Sequence, residues 1–177
     1  LGTILGSPSV SNGPITGVAV DSRLVAKDNV FFALPGEKTD GHLFLKQAAK
    51  LGCSCFVVNQ NYTGGTFGLP VIYVEDTLQA LQNLSKFLIA ARSSKIVAIT
   101  GSVGKTTTKD FLTTILQEKF KVAKTPGNSN SQIGLPLAIL NHTDGSEDVL
   151  VLEMGMNGPF QLAKLIDIAP PDISILT

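Results

Sequence analysis

Apolar residues fall in short runs that alternate with longer segments in which they recur at helical spacing. In the first half of the chain, three short apolar runs predict strands, at residues 29–34, 55–58 and 71–74. Helical spacing predicts two helices, one between Asp40 and Gly52 and one from Asp76 or Thr77 to about Ala91. The apolar side chains that we expect to face the core are Phe44, Ala48 and Leu51 in the first helix, and Leu78, Leu81, Leu84 and Leu88 in the second. This alternation predicts a small α/β domain over residues 1–91.

The same alternation restarts after a short polar segment, Arg92-Ser-Ser-Lys95, with greater regularity. Four apolar runs predict strands, at residues 95–100, around 122, 148–153 and 172–177. Three segments predict helices, at residues 106–120, 135–140 and 159–168. The runs 95–100 and 148–153 are apolar through their centres, which is typical of strands buried on both faces of a parallel sheet. We therefore expect residues 92–177 to form a doubly wound parallel sheet. Because the last residues lie in a predicted strand, we also expect this domain to be incomplete.

The composition narrows the classes of function. The 177 residues carry 14 Lys and Arg against 14 Asp and Glu, which gives no support to a polybasic nucleic-acid or membrane-surface binder. Apolar residues make up 44%, too many for a disordered chain, and no apolar run approaches the roughly 20 residues that span a bilayer. No signal-peptide pattern is present, and Cys53 and Cys55 lie in an apolar run that predicts buried, reduced thiols. We expect a monomeric cytoplasmic protein that neither binds nucleic acid nor inserts into a membrane.

The strongest chemical signal is the segment Thr100-Gly-Ser-Val-Gly-Lys-Thr-Thr-Thr108, which joins a predicted buried strand to a predicted helix. A glycine-rich turn ahead of a helix presents backbone N–H groups and the positive end of the helix dipole to a phosphate. Lys105 is expected to reach the β- and γ-phosphates, and the Thr106 hydroxyl is the expected Mg²⁺ ligand. The expected nucleotide-binding residues are Gly101, Ser102, Val103, Gly104, Lys105, Thr106 and Thr107. Ile99 stands where the general pattern has its first glycine, so this loop is a variant.

A carboxylate at the end of a second predicted strand fits the same site. Glu153 directly follows the apolar run 149–152. Parallel sheets bind ligands at the carboxyl ends of their strands, and a phosphate-loop enzyme needs an acidic Mg²⁺ partner there. The alternative for Glu153 alone is an ordinary acid at the end of a strand.

These residues resemble the Mur ligase family, the ATP-dependent enzymes that add amino acids to cytoplasmic peptidoglycan precursors. Residues 100–107 resemble the family's shortened phosphate loop, and three N-terminal segments resemble its UDP-binding domain: Val20-Asp-Ser-Arg23, Asp28–Gly36 and Asp40-Gly-His-Leu-Phe44. Three further features favour the member that adds D-alanyl-D-alanine to UDP-N-acetylmuramoyl-tripeptide. They are residues 101–109, Thr125-Pro-Gly-Asn-Ser-Asn130 with Ile133-Gly-Leu-Pro136, and Glu153-Met-Gly-Met156.

The resemblance implies that residues 1–91 bind the UDP-linked substrate and that residues 92–177 are the first part of an ATP-binding domain. It implies ATP and Mg²⁺ as cofactors, and transfer of the γ-phosphoryl group to the tripeptide carboxylate to give an acyl phosphate. The amine of D-alanyl-D-alanine then attacks, and phosphate leaves. Lys105 and Glu153 are the implied catalytic residues, since Lys105 and the metal offset the repulsion between two anions. We expect that these 177 residues alone do not complete the reaction.

The resemblance also implies substrate contacts. Ser22 and Arg23 match positions that contact the uridine diphosphate in relatives, and an Arg can bind phosphate with a fork of N–H donors. The alternative is a surface turn with a solvated Arg. Asn128 and Asn130 suit the orientation of a muropeptide, or else they serve only the turns of their loop.

The chain departs from the family's pattern at two places. Ser131 stands where relatives usually carry a second Asn, and the segment Asn157-Gly-Pro-Phe-Gln-Leu162 keeps only the Asn and the Pro of a longer motif. We expect Lys109 and Asp110 to be solvated helix residues. For His42, in the first turn of a helix, the alternatives are a contact with the nucleotide and simple exposure to solvent, of which we expect exposure.

Three other functions stay open. They are the related ligase that adds the third amino acid, another phosphate-loop protein such as a GTPase, kinase or transport ATPase, and a non-catalytic module that holds a UDP-sugar. No Asn-Lys-x-Asp motif follows the loop, which disfavours a GTPase. A non-catalytic module would leave the intact Gly104-Lys105-Thr106 without a purpose. A preference for ATP with Mg²⁺ over GTP would favour the ligase.

Overall fold

Two parallel sheets organise the chain in the computed structural model, which describes residues 14–36, 39–156 and 158–177. Residue contacts divide the chain into one unit that ends at Leu84 and another that begins at Ser85. This division falls inside a helix, ahead of the boundary between residues 91 and 92 that the sequence predicts. Residues 1–13 of the predicted first domain, and Asn157 in the divergent segment, lie outside the described residues.

The first unit is built on a four-stranded parallel sheet in the order β1-β2-β3-β4. Its strands are β1 (Gly17–Ala19), β2 (Asn29–Phe32), β3 (Cys55–Asn59) and β4 (Val71–Val74). The strands are joined by the 3₁₀ helices Ser22–Leu24 and Gly41–Phe44 and the α-helix α1 (Leu45–Lys50), and α2 (Thr77–Ala90) follows β4. Strands β2 to β4 and helix α2 confirm the predicted elements. The sequence did not reveal β1, because an apolar run of three residues is too short to show a period.

The 3₁₀ turn ahead of α1 changes which side chains the predicted first helix buries. A 3₁₀ helix has three residues per turn rather than 3.6, so the side chains that follow it are rotated relative to those of one continuous α-helix. Leu45 and Ala48 are fully buried, which confirms the predicted burial of Ala48. Phe44 and Leu51, which were also predicted to face the core, are 36% and 46% exposed, so that prediction was wrong.

The second unit contains a parallel sheet in the order β6-β7-β5-β8. Its strands are β5 (Lys95–Thr100), β6 (Val122–Lys124), β7 (Val149–Glu153) and β8 (Ile173–Leu176). Its helices are α3 (Lys105–Gln117), α4 (Gly134–His142) and α5 (Gln161–Ile168). Across the residues that the structure describes in both units, no helix is long and apolar enough to cross a membrane.

Helices cover both faces of this second sheet. On one face, Ala98 and Leu152 pack with the buried side chains of α4 and α5. On the other face, Ile99 and Val151 pack against Leu112 and its neighbours on α3. Burial on both faces explains why the central strands β5 and β7 lack polar alternation, and it confirms the predicted doubly wound α/β sheet.

The two cysteines are buried, unpaired thiols, as the sequence predicts. Burial raises the pKa of Cys53 and that of Cys55 to about 11, so both thiols are protonated at neutral pH. A buried thiol with a raised pKa is a poor nucleophile, and the pair serves as small core residues.

Candidate phosphate-binding site

The loop of residues 101–104 joins the carboxyl end of β5 to the first turn of α3. Gly101 and Gly104 have φ angles of 141° and 82°, in the left-handed region that favours glycine. A Cβ atom at position 101 would also lie 2.0 Å from the carbonyl oxygen of Thr177. The backbone therefore requires both glycines. The first N–H groups of a helix have no intrahelical partner, so the start of α3 presents donors to an anion at this loop.

The side chains around the loop are accessible. Lys105 Nζ donates to the carbonyl oxygen of Gly101 at 2.7 Å, so its ammonium group lies over the loop. Ser102, Val103, Thr106 and Thr107 are exposed. The residues predicted to bind a nucleotide thus surround one turn at the carboxyl edge of the sheet.

Glu153 lies beside this loop because β7 is the neighbour of β5. The two strands are parallel, and Glu153 pairs in register with Ile99, two residues before Gly101. The Thr106 hydroxyl donates a hydrogen bond of 2.9 Å to Glu153 Oε2. The side chain of Glu153 is only 1% exposed. The two residues predicted as Mg²⁺ ligands are therefore in direct contact.

Lys109 also contacts Glu153, and the prediction that Lys109 is solvated was wrong. Its side chain is 1% exposed, and its Nζ lies 3.2 Å from Glu153 Oε2 and donates to the carbonyl oxygen of Gly127. Thr106, Lys109 and the buried Thr113 recur at helical spacing, so they share the face of α3 that meets β7. A polar stripe of this kind is typical of a solvated helix face. Sequence reasoning therefore missed its burial, because a buried lysine needs a partner which only the tertiary structure reveals.

Asp110, by contrast, is exposed as predicted. Its carboxylate accepts a hydrogen bond of 2.7 Å from Lys124 Nζ on β6. This ion pair lowers the pKa of Asp110, chiefly through the hydrogen bond, but it lies on the surface and outside the Glu153 cluster.

The loop of residues 125–130 supplies the remaining contact to Glu153. Asn130 Nδ2 donates to Glu153 Oε1 at 2.7 Å, and the backbone N–H of Gly155 donates to the Asn130 carbonyl at 2.8 Å. A Cβ atom at Gly155 would lie 2.7 Å from Asn130 Cγ, so glycine leaves the room that this amide occupies. Asn128 is exposed on the same loop. The divergent Ser131 accepts a hydrogen bond from the Gly134 N–H at the start of α4.

Opposing effects act on the pKa of Glu153. Burial raises it, because a charged carboxylate loses its hydration. Hydrogen bonds from Asn130, Thr106 and Lys109, with the positive charge of Lys109, lower it and together outweigh the burial. The pKa is therefore held below its ordinary value, and Glu153 is ionised at neutral pH.

The oxygens at this site suit Mg²⁺. Glu153 Oε2 accepts two hydrogen bonds and Oε1 accepts one, which leaves one acceptor position on Oε1. The Thr106 hydroxyl gives its hydrogen to Glu153, so its own lone pairs are available to a cation. Among the described residues, no group of three or more His, Cys, Asp and Glu side chains forms a metal cluster. Mg²⁺ does not need one, since it is held by one or two protein oxygens together with water and phosphate oxygens.

A separate cleft of about 480 Å³ lies in the first unit and includes Ser22 and Arg23 in its lining. Ser22 is buried, and its hydroxyl donates to Gln47 Oε1 at 3.0 Å. Arg23 is 80% exposed and forms a two-pronged ion pair with Asp21, whose pKa it lowers to about 2, mainly through the side-chain hydrogen bond. Only Nε and Nη2 of Arg23 contact Asp21, so the guanidinium keeps further N–H groups for an anion.

His42 is held between neighbours rather than exposed, so that prediction was wrong. Its Nε2 accepts a hydrogen bond of 3.0 Å from the backbone N–H of Asn59, which places the ring hydrogen on Nδ1, 2.6 Å from Asp40 Oδ1. The ring also stacks on Tyr62 with centroids 5.3 Å apart. Asp40 caps the 3₁₀ helix as predicted, because its Oδ1 accepts from the His42 N–H.

Comparisons with known proteins show the family to which the chain is similar. Residues 14–87 match the family description "Mur ligase family, catalytic domain", and residues 99–177 match "Mur ligase middle domain". A curated relative from Bacillus subtilis, UDP-N-acetylmuramoyl-tripeptide–D-alanyl-D-alanine ligase, is 38% identical over 98% of this chain. The protein of the same name from Borreliella burgdorferi is 40% identical over 90% of this chain. The solved structure of MurF ligase from Thermotoga maritima in complex with ADP has a TM-score of 0.81 and 38% identity, over 90% of this chain and 36% of that one.

The chain belongs to the Mur ligase family. Within that family, both curated relatives named above are UDP-N-acetylmuramoyl-tripeptide–D-alanyl-D-alanine ligases, and the solved structure is that of a MurF ligase. The chain spans 38% and 36% of the length of the two curated relatives, little more than a third.

The hydrogen bond from Asn130 predicts how stability depends on pH. Because the pKa of Glu153 is lowered in the folded protein, the ionised carboxylate contributes stability at neutral pH that is lost as the pH falls through that lowered pKa. Replacing Asn130 with Ala removes a pKa-lowering hydrogen bond and brings the folded pKa of Glu153 closer to its unfolded value, so we expect the loss of stability on acidification to be smaller than in the wild type. The measurement is the free energy of unfolding in urea between about pH 3 and pH 7.

The matched control for this prediction is Asn128→Ala, since Asn128 is exposed on the same loop. We expect its pH profile to run parallel to that of the wild type. A parallel profile for Asn130→Ala as well would contradict the assigned effect on Glu153.

Proposed function

We propose that this chain provides the nucleotide-binding and substrate-binding parts of an ATP-dependent ligase that joins D-alanyl-D-alanine to UDP-N-acetylmuramoyl-tripeptide in peptidoglycan precursor synthesis. The observation that carries the proposal is the 2.9 Å hydrogen bond between Thr106 and Glu153 beside the glycine loop. It joins the hydroxyl and the carboxylate that an Mg²⁺-dependent phosphate site needs. In the proposal, residues 1–91 hold the UDP-linked substrate and residues 92–177 hold ATP.

On the ATP side, the backbone of residues 101–107 and the start of α3 bind the phosphates. With ATP bound, Lys105 would exchange its contact with the Gly101 carbonyl for contacts to the β- and γ-phosphates. The Thr106 hydroxyl and the Glu153 carboxylate would hold Mg²⁺. When bound, Mg²⁺ supplies positive charge to the phosphate oxygens. The reaction brings the γ-phosphoryl group against a second anion, the substrate carboxylate, and Lys105 acts catalytically by offsetting this repulsion. Glu153 would act catalytically through the Mg²⁺ that it holds.

On the substrate side, Arg23 binds the diphosphate of the UDP group and Ser22 shapes the cleft beside it. This proposal is supported by the N–H groups that Arg23 keeps beyond its contact with Asp21. Ser22, in contact with Gln47, presents little surface of its own, so we propose a supporting role for it.

The two asparagines of the 125–130 loop take different roles in the proposal. Asn130 donates a hydrogen bond to Glu153, so it orients the carboxylate. Only the remaining donor and acceptor positions of its side chain contact the muropeptide. Asn128 is exposed and contacts the muropeptide directly. Both lie at the edge of the sheet where the phosphate loop lies, which supports a shared site for the carboxylate and ATP.

The proposal extends to the protein's setting. Unpaired Cys53 and Cys55 suit a reducing compartment, which supports a cytoplasmic location. The balance of 14 basic and 14 acidic residues supports a protein that takes small anionic ligands rather than nucleic acid. We propose that it acts as a monomer, without insertion into a membrane.

Nucleotide binding tests the ATP side. Thr106→Val keeps the side-chain shape and removes the hydroxyl, so we expect ADP affinity measured with Mg²⁺ to fall about tenfold or more, with a smaller change in EDTA. Thr114→Val is the matched control, because Thr114 is exposed further along α3. Isothermal titration calorimetry gives both affinities. Equal losses with and without Mg²⁺ would contradict the metal role, and tight binding of GTP would favour a different phosphate-loop protein.

Ligand binding tests the cleft of the first unit. Arg23→Met removes the charge and the N–H fork, so we expect affinity for UDP-N-acetylmuramoyl-tripeptide to fall about tenfold or more. Lys27→Met removes an exposed positive charge of the same unit and should change little. Similar losses in the two variants would indicate a general charge effect in place of a site at Arg23.

The reaction itself is tested in a longer protein that contains this chain and is as long as its curated relatives. Release of phosphate from ATP should require both UDP-N-acetylmuramoyl-tripeptide and D-alanyl-D-alanine. Lys105→Met should lower the rate about a hundredfold or more, since it removes charge that acts on the transferred group, while exposed Lys119→Met should not. Release with a single amino acid in place of the dipeptide would indicate the ligase that adds the third residue.

A further inference from the structure

Lys109 is a buried cation that the proposed reaction does not use. Its side chain is 1% exposed, and its ammonium group lies between Glu153 Oε2, at 3.2 Å, and the carbonyl oxygen of Gly127. Lysine is almost never fully buried unless it is paired, because removing the charge from water is costly. The position of this charge therefore needs a reason beyond packing.

The contacts of Lys109 join three segments around the phosphate loop. Lys109 belongs to α3, Gly127 to the loop that carries Asn130, and Glu153 to the end of β7. With Thr106, Lys109 uses both acceptor positions of Glu153 Oε2, so it fixes the orientation of the carboxylate. The open acceptor position is then left on Oε1.

The electrostatic consequence concerns phosphate binding. An ionised carboxylate that contacts Thr106, at the start of the phosphate-binding helix, repels an incoming phosphate. Two unit charges about 6 Å apart, at an effective dielectric constant of about 20, interact by more than the free energy of a tenfold change in affinity. A cation held permanently against the same oxygen of the carboxylate offsets this repulsion.

We propose that Lys109 is a positioning residue that serves as a built-in counter-cation for Glu153, so that the phosphate loop accepts an anionic nucleotide even without a divalent cation. The inference rests on the proposed function, because it takes the loop to be a nucleotide site. It assigns to Lys109 a share of the neutralisation that Mg²⁺ would otherwise supply alone, and it leaves one oxygen of Glu153 for the metal.

The test measures ADP binding in EDTA and in Mg²⁺ by calorimetry. Lys109→Met keeps an unbranched side chain with good helix propensity and removes the charge. We expect ADP affinity in EDTA to fall about tenfold or more, and affinity in Mg²⁺ to fall about threefold or less, because the metal replaces the lost charge. Lys124→Met removes an exposed charge on β6 that is paired with Asp110 of α3. It should change neither affinity by more than about twofold.

A double variant separates this role from a structural one and guards against loss of folding. Lys109→Met alone leaves a buried carboxylate without its counter-charge, whereas Lys109→Met combined with Glu153→Gln removes both charges. The Gln amide can still accept from Asn130 and donate to Thr106. We expect the double variant to unfold at a higher temperature than Lys109→Met and to recover ADP affinity in EDTA to within about threefold of the wild type, with a smaller gain from Mg²⁺.

The outcomes are distinct. Equal losses of affinity in EDTA and Mg²⁺ for Lys109→Met, or a double variant that binds ADP in EDTA no better than Lys109→Met, would overturn the counter-cation role. If Lys109→Met does not fold, the double variant decides: wild-type-like binding in EDTA supports the role, and a loss overturns it. If the wild type fails to bind ADP with Mg²⁺, the proposed function fails, and the inference with it. The inference alone fails if the wild type binds ADP with Mg²⁺ and the variants give one of the overturning results.

Discussion

The arrangement of the second unit depends on the hydrogen bonds that the carboxylate of Glu153 accepts. It is buried at the end of a strand, and three side chains donate hydrogen bonds to it: Thr106, Lys109 and Asn130. These donors belong to two segments, α3 and the loop before α4, which are separated in the sequence by β6. Because a buried charge is tolerated only when its partners are in place, formation of this cluster fixes the helix, the loop and the strand relative to one another.

The parallel sheet explains why these groups meet at all. Strands β5 and β7 are neighbours and run in the same direction, so the phosphate loop after β5 and Glu153 at the end of β7 emerge at one edge. Their apolar centres are buried on both faces and tolerate few polar side chains, so the chemistry concentrates where the strands end. The first unit shows the same division of labour, since Ser22 and Arg23 follow the end of β1 and line a cleft there.

Much of this could be predicted from sequence because the signals are local. The buried runs of β5 and β7 and the Gly104-Lys105-Thr106 turn are each read within a few residues. Lys109 could not be placed in this way, since its partner Glu153 lies 44 residues further along the chain. The burial of a lysine is decided by that partner and not by its own neighbours in sequence.

The other two errors have one local cause and one long-range cause. The face of α1 was misjudged at Phe44 because the change from a 3₁₀ to an α-helical turn leaves no clear mark in the apolar pattern. His42 was misjudged because the N–H that it accepts from belongs to Asn59 on β3. Local patterns thus predicted where the elements lie, while long-range hydrogen bonds decided which polar side chains are buried.

The close approach of Gly155 to Asn130 has a consequence for how such sequences can diverge. The space that a Cβ atom at position 155 would need is taken by the amide that holds Glu153, at 2.7 Å. A larger residue at 155 therefore requires a shorter one at 130, and the carboxylate then loses a donor. The two positions, 25 apart along the chain, are therefore coupled in one direction: a larger residue at 155 needs a change at 130, whereas a shorter residue at 130 leaves Gly155 undisturbed.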